Sequence, residues 1–322
     1  MASTLVSIVI PVLDEKDNLR PLALALDAAL SPAWEYEAIF VDDGSRDGSL
    51  EILRDLAARD SRLDYISFSR NFGHQAALKA GMEAARGDCV ISMDGDFQHP
   101  PAILPELLEA WKPGIDVVAT IRNEPPGGSP DRPSFLKRRT SSLFYSLANA
   151  FSDQRLVPGS ADFRLLSRKA VDILVSMKER DLFLRGAVPW MGLPTVTIAY
   201  DPAPRRSGTT KYSFSRMWAL ALNGMTSFGV RPLRLASVAG AIISLAGFVY
   251  ALYALAMRIF TSRTVEGWTS LLVSVLIVGG IQLLCLGLIG EYLGKLFLEA
   301  KARPGYIVKE SSIGQARGES RS

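Results

Sequence analysis

The sequence predicts an α/β protein with a mostly parallel sheet, followed by two membrane-spanning helices. Residues 1 to about 200 alternate short apolar runs, which fit buried strands, with helical stretches. This alternation is typical of a parallel sheet covered by helices on both faces. Further along, two runs of 23 residues contain no charge, and each is longer than the roughly 20 residues needed to cross a hydrocarbon core.

Nine elements are predicted in the first 121 residues from the period of their apolar positions and their flanking turn residues. The strands are Val6–Pro11, Ala38–Val41, Tyr65–Ser69, Cys89–Met93 and Val117–Ile121. The helices are Asn18–Leu30, Ser49–Arg59, Gln75–Arg86 and Ala102–Lys112. Ligands of such sheets bind beyond the carboxyl ends of the strands, so the polar residues after each apolar run are where chemistry is expected.

The apolar part of the chain is divided into an interfacial segment and two spans. The segments 233–258 and 267–291 are predicted to cross the membrane, with a pair of buried core helices as the alternative. Positive charge is denser outside these segments than in the loop between them, so both termini are expected in the cytosol. The segment 213–232 is predicted as an interfacial amphipathic helix, or else a helix packed on the sheet domain. A cytosolic α/β domain over 1–212 and a cytosolic tail over 292–322 complete the predicted organisation.

Composition excludes several classes of protein. The 322 residues suffice for about two domains at ~150 residues each. A formal net charge of +3 and 48% hydrophobic residues exclude a strongly basic nucleic-acid binder and a disordered chain. Two cysteines, Cys89 and Cys285, lack the number and spacing of a disulfide framework or a zinc site, so a reducing cytosolic face is expected. Residues 1–7 show no secretory signal.

Acids dominate the polar residues that follow the predicted strands. Asp42 follows the second strand, and Asp94 and Asp96 follow the fourth, with Gln98 two residues further on. Carboxylates packed this closely repel unless a divalent cation or a ligand relieves the repulsion. A hard cation such as Mg²⁺ or Mn²⁺ takes one or two carboxylates and fills its other positions with water and phosphate oxygens. The pattern therefore indicates a nucleotide diphosphate site, although Asp-x-Asp standing alone would more often be a surface turn.

Four motifs occur in order along the α/β half, VSIVIPVLDEKDNL, IFVDDGSRDGS, SRNFGHQAALKAG and ISMDGDFQHPP. Together they resemble the family 2 inverting glycosyltransferases, whose nucleotide-sugar-binding domain has the GT-A, Rossmann-like fold. The later motifs GSADFRLLSR, FLRGAVPWMG and RRSGTTKYSFSRM and the two spans resemble the polyprenyl-phosphate sugar transferases of that family. That group includes the dolichol-phosphate mannose synthases and bactoprenol glucosyltransferases. The resemblance covers residues 5 to about 305.

The resemblance implies a donor site with three parts. The nucleoside would be held by Pro11, Leu13, Glu15, Asp42 and Asp94. A carboxylate is an acceptor only, so Asp42 suits a base edge that donates, such as the imide N–H of uracil. Asp96 and Gln98 would ligate Mg²⁺ or Mn²⁺. Arg206 and Lys211 would close over the departing diphosphate, with plain positive charge beside a membrane as the alternative.

The same resemblance implies which residues form the acceptor site. Arg122, Arg138 and Ser142 would take the acceptor phosphate, a solvated charged face being the alternative for the last two. Asp162 is the principal catalytic candidate, beside the metal ligand Asp96, because an aspartate at this place in the resembling enzymes lies by the acceptor phosphate and is proposed as the base. A phosphate monoester with a second pKa near ~6 to 7 is already largely dianionic. Asp162 alternatively positions the acceptor, stabilises charge on the sugar ring, or caps the following segment.

Four other polar residues are assigned structural roles. Asp43 and Ser45 are expected to cap the helix that begins at Ser49, as part of their role. His74 and His99 are each expected to satisfy a helix end or a loop.

The predicted function is that of a multi-pass enzyme of the bacterial inner membrane with its catalytic domain in the cytosol. It would move a hexose, glucose from UDP-glucose, onto undecaprenyl phosphate with inversion, using Mg²⁺ or Mn²⁺. A GDP-mannose or UDP-amino-sugar donor remains open, and a non-catalytic membrane scaffold is the hypothesis from another class. The expected partners are the UDP-sugar, the polyprenyl phosphate lipid and the membrane, with no nucleic acid. Glycines on the second span, at 279, 280, 287 and 290, permit a homo-oligomer.

Overall fold

The computed structural model describes residues 4–123, 160–179, 183–201, 231–260 and 267–313. These residues belong to two units. The first holds the sheet, and it combines the N-terminal part of the chain with the segment that begins at Pro304. The second holds two long helices. Most of the predicted interfacial helix lies outside the described residues.

The first unit contains eight strands and six α-helices among the described residues. The strands are β1 (Leu5–Val12), β2 (Glu35–Asp42), β3 (Leu63–Phe68), β4 (Cys89–Ser92), β5 (Val117–Arg122), β6 (Ser160–Ser167), β7 (Thr195–Tyr200) and β8 (Val308–Ser311). The helices are α1 (Lys16–Leu30), α2 (Ser49–Arg59), α3 (His74–Ala84), α4 (Leu104–Ala110), α5 (Arg168–Ser176) and α6 (Leu184–Trp190), and a short 3-10 helix at Pro101–Ile103 precedes α4. All nine predicted elements are present, with ends shifted by a few residues.

The eight strands form one sheet in the order β7-β5-β6-β4-β1-β2-β3-β8. Parallel pairing joins β1 to β2 and β4, β2 to β3, and β5 to β7. β6 runs antiparallel to β4 and β5, and β8 runs antiparallel to β3. The predicted α/β fold with a mostly parallel sheet is confirmed, and the two reversed strands are additions to it.

Helices cover both faces of the sheet, and each face has its own apolar core. In β1 the side chains of Ile8 and Ile10 enter the core shared with α1, α2 and α4. Val9 points to the other face and packs in the core shared with α3, α5 and α6. Burial on both sides explains why the strands read as continuous apolar runs rather than alternating ones. Each fully buried aliphatic side chain stabilises the fold by roughly 1.5–3 kcal/mol.

The C-terminal segment after the long helices returns to the sheet. β8 pairs with β3, with Ser311 opposite Ile66. The Tyr306 ring stacks on Phe68 with 4.8 Å between ring centroids. Polar contacts add to this pairing, because the Arg54 guanidinium donates to both oxygens of Glu310 at 2.9 Å. The sequence predicts the tail from Ser311 on as polar and disordered, and that is wrong for Ser311–Ile313, which lie against β3.

The second unit contains the helices α7 (Arg231–Phe260) and α8 (Trp268–Ala300). Both predicted spans are therefore helical. By length and composition one segment, Val273–Ala300, is apolar enough to cross a membrane, with a mean hydropathy of 2.3, whereas α7 contains a shorter apolar stretch at Ala236–Tyr250. The predicted span at 233–258 is thus not confirmed by this criterion within the described residues. α8 also continues to Ala300, beyond the predicted end of the span at 291.

Candidate active site

The polar residues meet at one edge of the sheet because of strand direction. Asp42 is the last residue of β2, and Asp94 lies two residues after the end of β4. Arg122 is the last residue of β5. Because β6 runs antiparallel to β4 and β5, its beginning, with Asp162, lies at the edge where those strands end. Residues from four strands therefore converge at the place where ligands of α/β sheets bind.

Asp42 is held in one orientation by two donors. One carboxyl oxygen accepts from the backbone N–H of Ser45 at 3.0 Å, and the other accepts from the Ser67 hydroxyl at 2.7 Å. The residue is 1% exposed. Each carboxylate oxygen has two lone pairs, so each oxygen of Asp42 can accept one more hydrogen bond from a ligand. Its contact with a base stays a prediction.

Asp43 and Ser45 do not cap the helix that begins at Ser49, so that expectation is wrong. The two carboxyl oxygens of Asp43 accept from the backbone N–H groups of Phe72 and Gly73, at 2.6 and 2.9 Å, and so fix the entry to α3 instead. Burial raises the pKa of Asp43, and these backbone bonds offset only part of the rise. The Ser45 hydroxyl accepts from the backbone of the loop after β1. The physical reason is that Asp47 lies nearer the start of this helix, where its carboxylate accepts from the backbone N–H and the hydroxyl of Ser49.

The predicted nucleoside residues of the first motif lie in β1 and the turn after it. Pro11 is buried within β1 and pairs in register with Val41. Leu13 is 38% exposed, which leaves an apolar surface at the strand end. Glu15 precedes α1, and one of its carboxyl oxygens accepts from the Asn18 amide at 2.5 Å. Leu13 and Glu15 are thus on the same edge as Asp42.

Asp94 is flanked by both histidines of the chain. His74 Nε2 lies 2.8 Å from one of its carboxyl oxygens. The backbone N–H of Asp94 donates to His99 Nδ1 at 2.9 Å, so that nitrogen carries no proton and the His99 ring is neutral. Burial raises the pKa of Asp94, but the hydrogen bond from His74 together with the positive charge near the carboxylate, that of Arg185 included, outweighs it and brings the value to about 2. Asp94 is therefore a carboxylate, and the expectation that His99 satisfies a loop is confirmed.

The turn after β4 presents oxygen atoms that suit a hard cation. Asp96 accepts from the backbone N–H of Gln98 at 3.0 Å, and Phe97 between them adopts a left-handed φ of 64°. The Gln98 side-chain oxygen accepts from Arg122 at 3.1 Å. A carboxylate and an amide oxygen on one turn fit Mg²⁺ or Mn²⁺ with phosphate and water completing the shell. Among the described residues no group of three or more His, Cys, Asp and Glu side chains is placed to hold a metal ion.

Tyr200 closes the same corner from β7. The residue is 3% exposed, and its ring packs edge-on against His99 and Phe163. Its hydroxyl is buried and has no partner with hydrogen-bond geometry among the residues that the structure describes. Burial raises the pKa of Tyr200, while Arg122 lies near enough to oppose that rise. The buried Tyr200 hydroxyl and the nearby Arg122 guanidinium therefore make this end of the site polar.

Asp162 lies between two arginines. One carboxyl oxygen accepts from Arg164 Nη2 at 3.0 Å, and the other accepts from Arg185 Nε at 3.0 Å and Nη2 at 2.9 Å. The Gln75 amide also approaches the second oxygen at 3.4 Å. Burial raises the pKa of Asp162, but the two guanidinium charges outweigh it and lower the pKa below its ordinary value. Such a carboxylate is a weak base, which favours the positioning role among the alternatives for Asp162.

Four predicted site residues, Arg138, Ser142, Arg206 and Lys211, lie outside the described residues. The other predicted site residues lie at one edge of the sheet, with Pro11 behind them in β1. They are Leu13, Glu15, Asp42, Asp94, Asp96, Gln98, Arg122 and Asp162.

Comparison with known proteins agrees with this geometry. Residues 7–174 match the sequence model of glycosyl transferase family 2, and residues 231–296 match that of the GtrB C-terminal hairpin. The uncharacterized glycosyltransferase YkcC of Bacillus subtilis is 41% identical over 306 residues, which cover 95% of this chain and 93% of that protein. The chain belongs to glycosyl transferase family 2.

Two other relatives carry more specific names. The prophage bactoprenol glucosyl transferase homolog of Escherichia coli is 38% identical to this glycosyltransferase, over 94% of this chain and 98% of the relative. The bactoprenol glucosyl transferase of Shigella phage SfV is 37% identical with the same coverage. A solved glucosyl-3-phosphoglycerate synthase of Mycobacterium tuberculosis, in complex with Mn²⁺ and UDP, aligns with a TM-score of 0.45 and 20% identity over 70% of this chain and 78% of that one. That score is too low to support a conclusion about ligands.

Sequence reasoning on this glycosyltransferase missed four site residues, His74, Gln75, Arg164 and Arg185. All four lie in motifs that carry the family resemblance, but none was given a chemical role. Gln75 and Arg185 reach Asp162 although they lie 87 and 23 residues from it in the sequence. The signal for Arg164 and Arg185 was that each lies among apolar residues of its motif. A buried arginine requires an anionic partner, so these positions indicate a nearby carboxylate or a bound anion.

Proposed function

We propose that this glycosyltransferase moves glucose from UDP-glucose onto undecaprenyl phosphate at the cytosolic face of the bacterial inner membrane. The observation that carries the proposal is the convergence of an acidic turn, Asp94 to Gln98, with the Arg164–Asp162–Arg185 cluster at one sheet edge. The acidic turn suits a metal-bound diphosphate, and the cationic cluster suits a second phosphate. The names of the bactoprenol glucosyl transferase relatives support the sugar and the lipid.

The donor would lie along the ends of β1, β2 and β4. Leu13 offers an apolar surface to the base, and Asp42 offers an acceptor whose orientation is fixed by Ser45 and Ser67. Asp96 and Gln98 would hold Mg²⁺ or Mn²⁺, which when bound neutralises charge on the diphosphate. Arg122, which donates to the Gln98 side-chain oxygen in this structure, is proposed to bind the acceptor phosphate. Arg206 and Lys211 are proposed to add to this charge from the following segment.

The reaction would be a single displacement. An oxygen of the acceptor phosphate attacks the anomeric carbon, the bond from that carbon to the donor diphosphate breaks, and the electron pair leaves with UDP. The phosphate is largely dianionic at neutral pH, so no proton has to move in the transition state. Asp162, with its pKa lowered by two arginines, would position the acceptor side rather than accept a proton. An α-linked donor then gives a β-linked lipid phosphosugar.

The second unit would place this site at the lipid surface. We propose that 1–212 form the cytosolic catalytic domain, 213–232 an interfacial helix, 233–258 and 267–291 two spans, and 292–322 a cytosolic tail whose β8 rejoins the sheet. The apolar side chains of α8, which are largely exposed within the second unit, support this arrangement. Arg138 and Ser142 are proposed to add to the acceptor phosphate site, and glycines of α8 would allow the helices of two copies to pack closely.

The test uses the purified full chain in detergent with labelled UDP-glucose, Mg²⁺ and undecaprenyl phosphate. We expect label in the organic phase, loss of that product in EDTA, and its return with added Mg²⁺ or Mn²⁺. Asp96→Ala should abolish transfer, whereas Asp172→Ala, which removes an exposed ion pair with Arg168, should not change it. A panel that includes GDP-mannose and UDP-amino sugars tests the donor. A wild-type protein that transfers no sugar from any donor would rule out the function.

A further inference from the structure

Three charged side chains form one cluster between β6 and α6. Asp162 and Arg164 are two residues apart on β6, so their side chains lie on the same face of the sheet. Arg185 reaches the same carboxylate from the first turn of α6, donates to it from Nε at 3.0 Å, and forms an ion pair with it through Nη2 at 2.9 Å. The three groups together carry a charge of +1, because a guanidinium in a protein does not lose its proton.

The members of this cluster differ in exposure. The side chains of Asp162 and Arg164 are 4% and 7% exposed, whereas that of Arg185 is 36% exposed. The buried ion pair is therefore fixed inside the domain, whereas the Arg185 guanidinium reaches the surface, and its charge also stabilises the Asp94 carboxylate. A half-buried guanidinium next to a satisfied carboxylate is suited to bind an anion that arrives from outside.

Gln75 connects this cluster to the donor side. Its side-chain oxygen accepts from the backbone N–H of Leu184 at 3.1 Å and so fixes the start of α6. The neighbouring residue, His74, contacts Asp94 at 2.8 Å. Two consecutive residues of α3 thus hold Arg185 and Asp94 in the same site. An anion bound by Arg185 would therefore lie beside Asp94, the carboxylate on the donor side.

We propose that Arg185 binds the phosphate of the lipid acceptor, and that Asp162 and Arg164 are positioning residues that orient its guanidinium. This inference rests on the proposed function and adds a residue to it. The planar guanidinium can donate two parallel hydrogen bonds to a phosphate, and Asp162 fixes the plane in which they point. The acceptor is assigned rather than the donor diphosphate because the acidic turn, through a cation, already serves the diphosphate.

The test compares kinetic constants of Arg185→Gln and Arg185→Lys with those of the wild-type full chain in detergent. We expect Arg185→Gln to raise KM for undecaprenyl phosphate about 10- to 100-fold, as the loss of charge-assisted hydrogen bonds predicts. KM for UDP-glucose should change by less than about twofold, and Arg185→Lys should recover part of the loss. Arg59→Gln is the matched control, because Arg59 also pairs with a carboxylate, that of Asp55 on α2. It should leave both constants unchanged.

Three results would contradict the inference. Unchanged KM for undecaprenyl phosphate, a rise confined to UDP-glucose, or equal losses for both substrates would each overturn it while leaving the proposed function intact. Direct binding of undecaprenyl phosphate, measured without donor, covers the case in which Arg185→Gln turns over too slowly for kinetics, and affinity should fall by the same factor. A variant that does not fold is replaced by Arg185→Lys, for which weaker binding with an unchanged melting temperature is the supporting result. A wild type that neither transfers sugar nor binds the lipid phosphate would rule out the proposed function, and this inference with it.

Discussion

At the scale of single residues, the two histidines of this chain have opposite environments around one carboxylate. The side chain of His74 is 41% exposed and contacts an oxygen of Asp94. Burial lowers the pKa of His74, but the hydrogen bond and charge of Asp94 outweigh it and raise the pKa above 6.5. His99 is buried, stacks on Phe163 with 4.8 Å between ring centroids, and accepts from a backbone N–H. Burial lowers the pKa of His99 below 6.5.

We therefore predict two histidine titrations on opposite sides of pH 6.5. Asp94→Asn should bring the pKa of His74 down, because the stabilising carboxylate is lost. NMR of ring protons can follow both groups, since the chain contains two histidines and His74→Gln assigns them. A His74 pKa at or below 6.5 in the wild type would contradict the ion pair.

The ion pair between His74 and Asp94 stabilises the fold over a defined range of pH. The raised pKa of His74 means that its contribution is complete below 6.5 and is lost as pH rises through the higher folded value. The lowered pKa of Asp94 means that its contribution is complete above 3.8 and is lost as pH falls toward about 2. The pair therefore stabilises the fold most between these limits.

At the scale of elements, helix α3 packs against β1 through a glycine. A Cβ built on Gly81 would lie 2.2 Å from a methyl group of Val9 and 3.2 Å from one of Val41. Glycine inside a helix costs up to ~1 kcal/mol relative to alanine. The close approach of helix and strand therefore explains a residue that helix propensity disfavours.

We predict that Gly81→Ala lowers the free energy of unfolding by about 1–2 kcal/mol, because overpacking of about 1–3 kcal/mol exceeds the gain in helix propensity. In a Val9→Ala background the same change should be neutral or stabilising, because the clashing methyl groups are gone. Urea unfolding of the four proteins of this double-mutant cycle measures the coupling. Equal effects in both backgrounds would contradict the packing.

The strand β8 is the second element whose packing makes a testable prediction. Tyr306 stacks on Phe68, and its hydroxyl hydrogen-bonds to Glu83. Glu310 pairs with Arg54, whose side chain is 44% exposed. Aromatic packing with a hydrogen bond outweighs an ion pair near the surface.

We expect Tyr306→Ala to cost about 1–3 kcal/mol of stability and Glu310→Ala at most about 1 kcal/mol. Denaturant unfolding of the detergent-solubilised chain measures both free energies. A larger loss for Glu310→Ala than for Tyr306→Ala would show that β8 is held by charge rather than by packing.

At the scale of the whole molecule, the chain leaves the sheet after β7 and returns to it as β8, and these two strands occupy opposite edges of the sheet. The unit with the two long helices is inserted between them in sequence. Sheet edges are prone to pair with other chains, and a strand donated by the chain's own C-terminal segment covers one of them. The catalytic unit is thus completed by residues that follow the apolar helices.

The proposed membrane topology makes a prediction at this scale. In a chain with Cys89→Ala and Cys285→Ala, a Ser262→Cys substitution in the loop between α7 and α8 should react with an impermeant maleimide in intact spheroplasts. Ser320→Cys near the C-terminus should react only after permeabilisation, because an even number of spans returns the chain to the cytosol. Labelling of Ser262→Cys only after permeabilisation would rule out the proposed topology.

Most of the sheet and half of the site follow from local sequence. The strands β1 to β5 and the helices between them repeat an apolar pattern within each element, and Asp42, Asp94, Asp96 and Arg122 lie at or just after strand ends in the chain itself. The sequence does not predict strand β6, although it predicts Asp162 within that segment as a site residue. Its antiparallel pairing with β4 joins residues some 70 positions apart, such as Ser92 and Arg164, which no local period indicates.

What the sequence by itself determined was the α/β class, the order of strands and helices as far as β5, the two apolar helices and the acids at the strand ends. These depend on the spacing of apolar and polar residues within short segments, where neighbours in sequence are also neighbours in space. What only the tertiary structure decided was the partner of each charge and the return of β8 to β3. A guanidinium can pair with any carboxylate, and a backbone strand can pair with any edge, so the choice among them was made when packing brought distant segments together.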